Sequence, residues 1–542
     1  MADPQERVSL VRARAVLPEA GWEGRPVDAL AVAGGKVAAV GTYEDLSGAW
    51  PDAGVVDLGG RWVVPGLEDA HCHPTIAADE LCHVSLSPQD QREPRQVAAA
   101  VGRAGRSNGW VKLVGWLEER CGGAPVDRHL LDRLCPAGPL VIVHANGHWG
   151  YANTAGLVRM GFADESGAVI ETAVPANGWV ESGPGGLATG RVFEQAMFDI
   201  MEPALARDPG RVALAGFEDR LSALRRIQHD YLSRGVTALT EALCGESGWD
   251  LLERIQAEGG SPRYFALAPV GDPDLARRLA ARGGPRLRLI GLKSFVDGAL
   301  NGGTCLLTEP VPDGDPQQLR TADDVARELR LAASLGLLLA VHANGDAAID
   351  ALLGASERTG LRGRIEHGSV VRDDQVPAIR RHGWGVVPFG SYVREHGERL
   401  ADTYGRDRMG GLIRHRTLIE AGVPVGGSSD YPCAGPDPWQ GMWSCVTRRS
   451  REGEMLGGQE RLTPVQALRL YTRGSASVRP GSGAAGTLWP GAPADFAVLD
   501  TDPRRPEGLE RQAGAPVAAT FVAGEPVYAG HDVEVNGPER GR

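Results

Sequence analysis

Four of the thirteen histidines in this 542-residue chain stand where a metal site is easily built. His71 and His73 lie in DAHCHP, directly after an apolar run. At a period of two their imidazoles point the same way and can grip one cation from one side. His342 ends LLLAVHA, His367 ends RIEHG and Asp430 ends VPVGGSSD. Any one of these alone reads as a hydrogen-bonded residue at a strand end. Four histidines and an aspartate at four separate strand ends do not. Lys293 adds a fifth location, inside the otherwise apolar LIGLKSF. Lysine is rare here: of 57 basic residues only Lys36, Lys112 and Lys293 are not arginine. Lys36 reads as a turn residue of a Gly-Gly hairpin, whereas Lys293 occupies a position where arginine would serve equally well for packing. Amine chemistry is therefore expected of it. It is either a nucleophile, as in a Schiff base, or an amine carboxylated by CO₂ to a carbamate that bridges two cations.

These residues need a scaffold that brings strand ends together. Apolar runs at 62–70, 236–242, 263–270, 287–295, 337–343, 364–368, 384–389 and 423–430 read as eight strands with helical stretches between them. One helix is expected over 321–336, where Thr321 and Asp324 form a capping box, and another over 373–383. Eight parallel strands alternating with helices close most simply into a (β/α)₈ barrel, whose chemistry sits at the C-terminal strand ends. About 165 residues separate the first two strands, far more than an ordinary βα loop. Residues 75–235 are therefore expected to form an inserted subdomain, with strands in VKLVGW and LVIVHANGH and a helix over 211–234, acting as a lid on the barrel of residues 65–483. The chain ends, 1–64 and 484–542, carry short alternating strands broken by Gly and Pro, too few in either arm for a stable sheet, and are expected to pair into one small β domain.

Composition narrows the function. A formal charge of −12 argues against a nucleic-acid or anionic-membrane partner. Eight scattered cysteines without a CxxC pair suit reduced thiols. With neither a basic-then-apolar leader nor a long uncharged apolar run, they lead to the expectation of a cytoplasmic protein.

The order HxH, Lys, His, His, Asp on successive strands resembles the amidohydrolase superfamily. The wording of VPGLEDAHCHP (64–74), GHWGYANTAGL (147–157), ATGRVFEQA (188–196), KSFVDGALNGGT (293–304), VHANGDAAID (341–350), RIEHG (364–368), SSDYP (428–432) and GTLWPGAPADFAVLD (486–500) is similar to its amidohydrolase-3 branch, which includes N-substituted formamide deformylase. The resemblance spans nearly the whole chain and is specific for fold and metal site, not for substrate. It implies that His71, His73 and Asp430 bind the more buried metal, that His342 and His367 bind a second, and that Lys293 is the carboxylated bridge. Two positions depart from the branch: Val387 stands where glutamine is common, which would alter the pocket floor, and Ala347 where arginine is common.

The expected reaction is hydrolysis of a non-peptide amide or formamide C–N bond in a small molecule. Two Zn²⁺ ions suit the imidazole and carboxylate donors, with Mn²⁺ or Fe²⁺ as alternatives. Divalent cations activate a water as hydroxide and polarise the carbonyl, and Asp430 moves the proton from that hydroxide to the leaving nitrogen. His148 is the candidate hydrogen-bond donor to the substrate oxygen. Trp116, Glu118 and Trp149 are further pocket candidates. Two alternatives use the same fold: an isomerase, cyclase or lyase with the same metals as Lewis acid, and a non-catalytic scaffold. The scaffold has no need of Lys293 among so many arginines. GGSSD lacks the GxSxG elbow of a serine hydrolase. A homodimer is the expectation from the resemblance.

Overall fold

The protein is described here by a computed structural model covering residues 7–86, 93–117, 126–145, 147–175, 177–300, 303–309, 311 and 316–530. The chain divides into two compact units, one of residues 1–73, 227–242 and 254–542 and the other of residues 74–226 and 243–253.

The first unit holds a parallel barrel of seven strands in sequential order: β1 (Leu67–Cys72), β2 (Val236–Glu241), β3 (Arg263–Pro269), β4 (Leu287–Phe295), β5 (Leu338–Ala343), β6 (Arg364–His367) and β7 (Gly385–Val387). The expected eighth strand is not regular, but its residues fill the gap between β7 and β1. On one side Val386 N–H donates to Pro424 O at 2.9 Å and Gly426 N–H to Val386 O at 3.0 Å. On the other, Ala70 N–H donates to Gly427 O at 3.0 Å and Asp430 N–H to His71 O at 3.0 Å. The strands are almost entirely buried, as expected where helices cover a parallel sheet. Helix Ala322–Ser334 starts on Thr321 with both halves of the capping box present, as its sequence predicts.

The apolar run 62–70 is not one strand. Trp62–Pro65 pairs antiparallel with Phe496–Leu499, while β1 begins at Leu67 in the barrel. Gly66 lies between, and a Cβ there would meet Thr237 Oγ1 at 2.2 Å, so only glycine lets the chain cross so close to β2.

Both chain ends build the small β sandwich. One sheet runs Lys36–Gly41, Ala29–Ala33, Ser9–Arg12, Gly54–Asp57; the other runs Ala15–Val16, Trp62–Pro65, Phe496–Leu499, Ala519–Val522, Glu525–Ala529. Leu30, Val63, Phe496 and Phe521 lie in their common core, with the two phenylalanine rings stacked 4.4 Å apart. Val387 is buried against Ala70 and Val478. It packs between the barrel wall and a helix-flanking residue, so the expected effect on a pocket floor is not borne out.

The second unit is built on a mixed sheet ordered Gly178–Ser182, Ala188–Glu194, Trp149–Ala152, Leu140–His144, Trp110–Trp116, Val84–Ser85. Two apolar cores form in it, one around Trp110, Phe162 and Met197, the other around Leu113, Leu131 and Ile142. Lys112, in the strand Trp110–Trp116, is buried and donates to Asp79 Oδ2 at 2.7 Å.

Candidate metal centre

Successive side chains of a strand alternate between faces, so Asp69 and His71 share a face of β1. Asp69 anchors that end of the barrel. Its Oδ1 accepts from the N–H groups of His71 (3.3 Å) and Ser429 (3.1 Å), and its Oδ2 from Tyr231 Oη (3.2 Å) and Ser429 Oγ. Burial raises its carboxyl to about 6, against those hydrogen bonds. Tying β1 to residues 429–430 in this way sets His71 and Asp430 opposite each other.

Two of the candidate ligands sit at backbone angles that side chains rarely adopt, φ 72° for His367 and φ 50° for Asp430. Such residues cost about 1–3 kcal/mol each and persist where their surroundings hold them. At His367 the following N–H, of Gly368, donates to Ala343 O at 3.0 Å.

Three donor atoms converge. His71 Nε2 is 3.2 Å from His73 Nε2 and 3.4 Å from Asp430 Oδ1, and His73 Nε2 is 3.6 Å from the same oxygen. Ligand atoms about 2.0–2.1 Å from one tetrahedral Zn²⁺ lie roughly 3.3–3.4 Å from each other. The trio therefore has the spacing and the chemistry of a divalent-cation site. His367 joins it: ligand atoms of His71, His367 and Asp430 all lie within 4.8 Å of one another. His342 stands beside His367, ring centroids 4.6 Å apart, with its Nε2 turned to Gly298 O (3.1 Å) and Asn344 Nδ2 (3.0 Å). Gly345 and Asn344 are in turn held by Asp297, which accepts both their backbone N–H groups.

The electrostatics follow from burial. Desolvation and the Lys293 charge push the His71 imidazole well below its ordinary pKa, against the pull of Asp430. Burial, with the charges of His71 and Lys293, does the same to His367. Both are thus neutral bases, the form that binds a cation. Burial alone would raise the Asp430 carboxyl, but the hydrogen bond and charge of His71, with His73 and Lys293, bring it below the ordinary value. Burial lowers Lys293 to about 8, outweighing the pull of Glu366 and Asp430. An amine with that value is far more nucleophilic at neutral pH than a surface lysine.

Sequence reading missed the carboxylates behind the ligands. Glu366 is fully buried, and its Oε2 takes the hydrogen bond of His71 Nδ1. Glu241 Oε1 lies 3.6 Å from His73 Nδ1. Both occupy strand ends, and Glu366 adjoins His367, a signal that parity along RIEHG could have supplied.

The remaining candidates lie in the second unit. His148 Nδ1 is 3.0 Å from Glu194 Oε2, and Glu194 itself is strained at φ 49°. Trp149 stacks on His144 at 4.5 Å. Trp116 is 1% exposed and packs in a core, edge-on to Tyr151. Glu118 lies outside the described residues.

Fold and donor set together are those of a metal-dependent hydrolase acting on carbon–nitrogen bonds. The chain belongs to the amidohydrolase family, which matches residues 54–528; residues 29–53 match a bacterial imidazolonepropionase-like composite domain. It is 28% identical over 516 residues to N-substituted formamide deformylase of Arthrobacter pascens, covering 88% of this chain and 90% of that one. It is also 28% identical to the putative amidohydrolase YtcJ of Bacillus subtilis strain 168, covering 89% and 92%. Among solved structures, an uncharacterized metal-dependent hydrolase from Pyrococcus horikoshii OT3 superposes with a TM-score of 0.73 at 26% identity, covering 92% of this chain and 98% of that one.

Proposed function

We propose that the chain hydrolyses an amide or formamide-like, non-peptide C–N bond of a small molecule, with Asp430 as the general acid and base. The reading is carried by the convergence of His71 Nε2, His73 Nε2 and Asp430 Oδ1 at 3.2–3.6 Å. Similarity to a formamide deformylase supports the substrate class.

These three residues, with His367 and His342 at a second position and a carboxylated Lys293 between, would hold two divalent cations, of which Zn²⁺ suits the donors best. A bound cation supplies Lewis-acid polarisation of the carbonyl and an acidified water. The chain does the rest. Asp430 is 14% exposed beside a His71 imidazole that is 1% exposed, so one carboxylate oxygen can stay in the trio while the other meets the attacking water. It takes that water's proton as the C–O bond forms and returns it to the nitrogen as the C–N bond breaks. Lys293, with its depressed pKa, offers the free amine that carboxylation by CO₂ needs. His148, steadied by Glu194, is assigned to the substrate oxygen on the family resemblance. We place the protein in the cytoplasm, since its eight scattered cysteines carry no CxxC pair and suit reduced thiols. A homodimer rests on the resemblance.

The test is metal analysis together with mass-resolved turnover of N-formyl and N-acyl amines by wild type, Lys293→Arg and Asp430→Asn. Wild type should carry divalent metal and add one water to its substrate. Asp430→Asn should lose about 10²–10⁴-fold in rate. Metal-free wild type, a product isomeric with substrate, or an unimpaired Asp430→Asn would overturn the reading.

A further inference from the structure

Strand β6 places Arg364 and Glu366 two residues apart, hence on one face, and buries both: Arg364 is 1% exposed and Glu366 0%. The glutamate is shared. Its Oε1 accepts from Arg364 Nε at 2.5 Å, and its Oε2 takes the hydrogen bond of His71 Nδ1 from β1. A His71 whose Nδ1 donates to a carboxylate has its lone pair on Nε2, and Nε2 is the atom that lies 3.2 Å from His73 Nε2 and 3.4 Å from Asp430 Oδ1.

The arginine is a poor choice for stability alone. Its two terminal nitrogens are buried with no hydrogen-bond partner among the described residues. A buried charged donor left unsatisfied is costly, and a buried ion pair is often no more stabilising than apolar side chains of the same volume. Apolar side chains at both positions would fill the same space. What apolar side chains would not do is hold a carboxylate in one place against His71.

We propose that Glu366 and Arg364 are a positioning pair: Arg364 fixes the Glu366 carboxylate, and Glu366 fixes the tautomer and orientation of His71, so that the pair sets the affinity of the site for its cation. The inference rests on the reading of His71 as a ligand. The pair touches neither substrate nor cation. Carboxylates that hold metal-binding imidazoles in this way are typically worth about 10–100-fold in metal affinity.

The experiment measures two quantities on the full chain: the zinc dissociation constant by chelator competition, and the melting temperature of the metal-free protein. Wild type is compared with Arg364→Met, Glu366→Leu and Glu366→Gln. Arg364→Met leaves the Glu366 carboxylate buried without its cation, so it should melt below wild type and should also bind zinc about 10–100-fold more weakly. Glu366→Leu should lose a similar factor. Glu366→Gln should lose less, because its amide oxygen still accepts from Nδ1–H. An Arg364→Met protein that melts lower yet binds zinc as wild type does would make the arginine merely structural and overturn the proposal. So would a Glu366→Leu or Glu366→Gln protein with undiminished affinity, which decides the matter should Arg364→Met fail to fold. If wild type itself does not bind zinc, the metal reading falls first, a result distinct from equal binding by wild type and variants.

Discussion

Lys112 is the second buried lysine of this chain, and replacing it tests how the inserted unit is held together. Lys112 and Asp79 are 3% and 4% exposed, and the ammonium donates to Asp79 Oδ2 at 2.7 Å and to Ala213 O at 3.3 Å. Asp79 also accepts from Ala215 N–H at 2.7 Å and faces His83 Nε2 at 3.1 Å. Burial alone would raise the Asp79 carboxyl; the Lys112 charge, with the hydrogen bond and charge of His83, outweighs it and holds the group well below its usual range. Lys112→Met leaves that carboxylate buried without its cation. Breaking a buried pair from one side costs about 3–5 kcal/mol, which in a unit of this size is a drop of roughly 6–20 °C in melting temperature. The deficit should be largest at neutral pH. It should narrow in acid, where Asp79 of the variant takes up a proton in the folded state as readily as in the unfolded one. The double variant Lys112→Met with Asp79→Asn should recover most of the loss, because no charge is then left uncompensated. Calorimetry and urea unfolding of the four proteins measure it. A single-variant loss below about 1 kcal/mol, the level of an exposed ion pair, or no recovery in the double variant, would refute the reasoning.

Three further outcomes follow from particular residues. Gly66→Ala drives a methyl group into Thr237 and should destabilise the first unit by about 1–3 kcal/mol; Thr237→Ala should return part of it in a double-mutant cycle, and additive effects would show that the contact is not the cause. His415 is buried and its pKa is lowered to about 3, by burial first and the Arg448 charge second. Its folded value lies below the ordinary one of about 6.5, so the unfolded chain binds the extra proton and stability is lost as pH falls from 6.5 towards 3, by up to about 1.4 kcal/mol per pH unit. His415→Gln should remove that one proton's worth of slope from urea-unfolding free energies measured between pH 6 and 4, and an unchanged slope would exclude it. Removing divalent metal with a chelator should lower the melting temperature of the first unit, and adding Zn²⁺ at 100 times its dissociation constant should restore about 2.7 kcal/mol; a melting temperature indifferent to both would count against a cation at the His71–Asp430 trio.

Much of the site was legible because barrels put chemistry at strand ends, and strand ends can be found from apolar runs. His71, His73, His367 and Asp430 all terminate such runs, and the structure brings their ligand atoms into one group or within 3.2–3.6 Å of it. His342 terminates one equally well, yet its Nε2 faces Gly298 O, a choice of side-chain rotation on which sequence is silent. Glu366 was overlooked because its role depends on a partner 295 residues away. The break at Gly66 was hidden for the same reason, since it answers to Thr237 on a neighbouring strand. Thr321 and Asp324, by contrast, were readable because a capping box closes within four residues.

What the sequence determined by itself is therefore local and periodic: apolar runs of strand length, caps, the parity of HxH, and a lysine where arginine was the rule. Tertiary structure decided which of those residues face each other. Residues 424–431 close the barrel by hydrogen bonds on both sides without becoming a regular strand, and Asp69, His71 and Asp430 meet only because they do. The physical reason is range. Hydrophobic periodicity and capping act within a turn or a strand, whereas a donor set with 3.2–3.6 Å spacing depends on contacts across the barrel, made only once the whole sheet has closed.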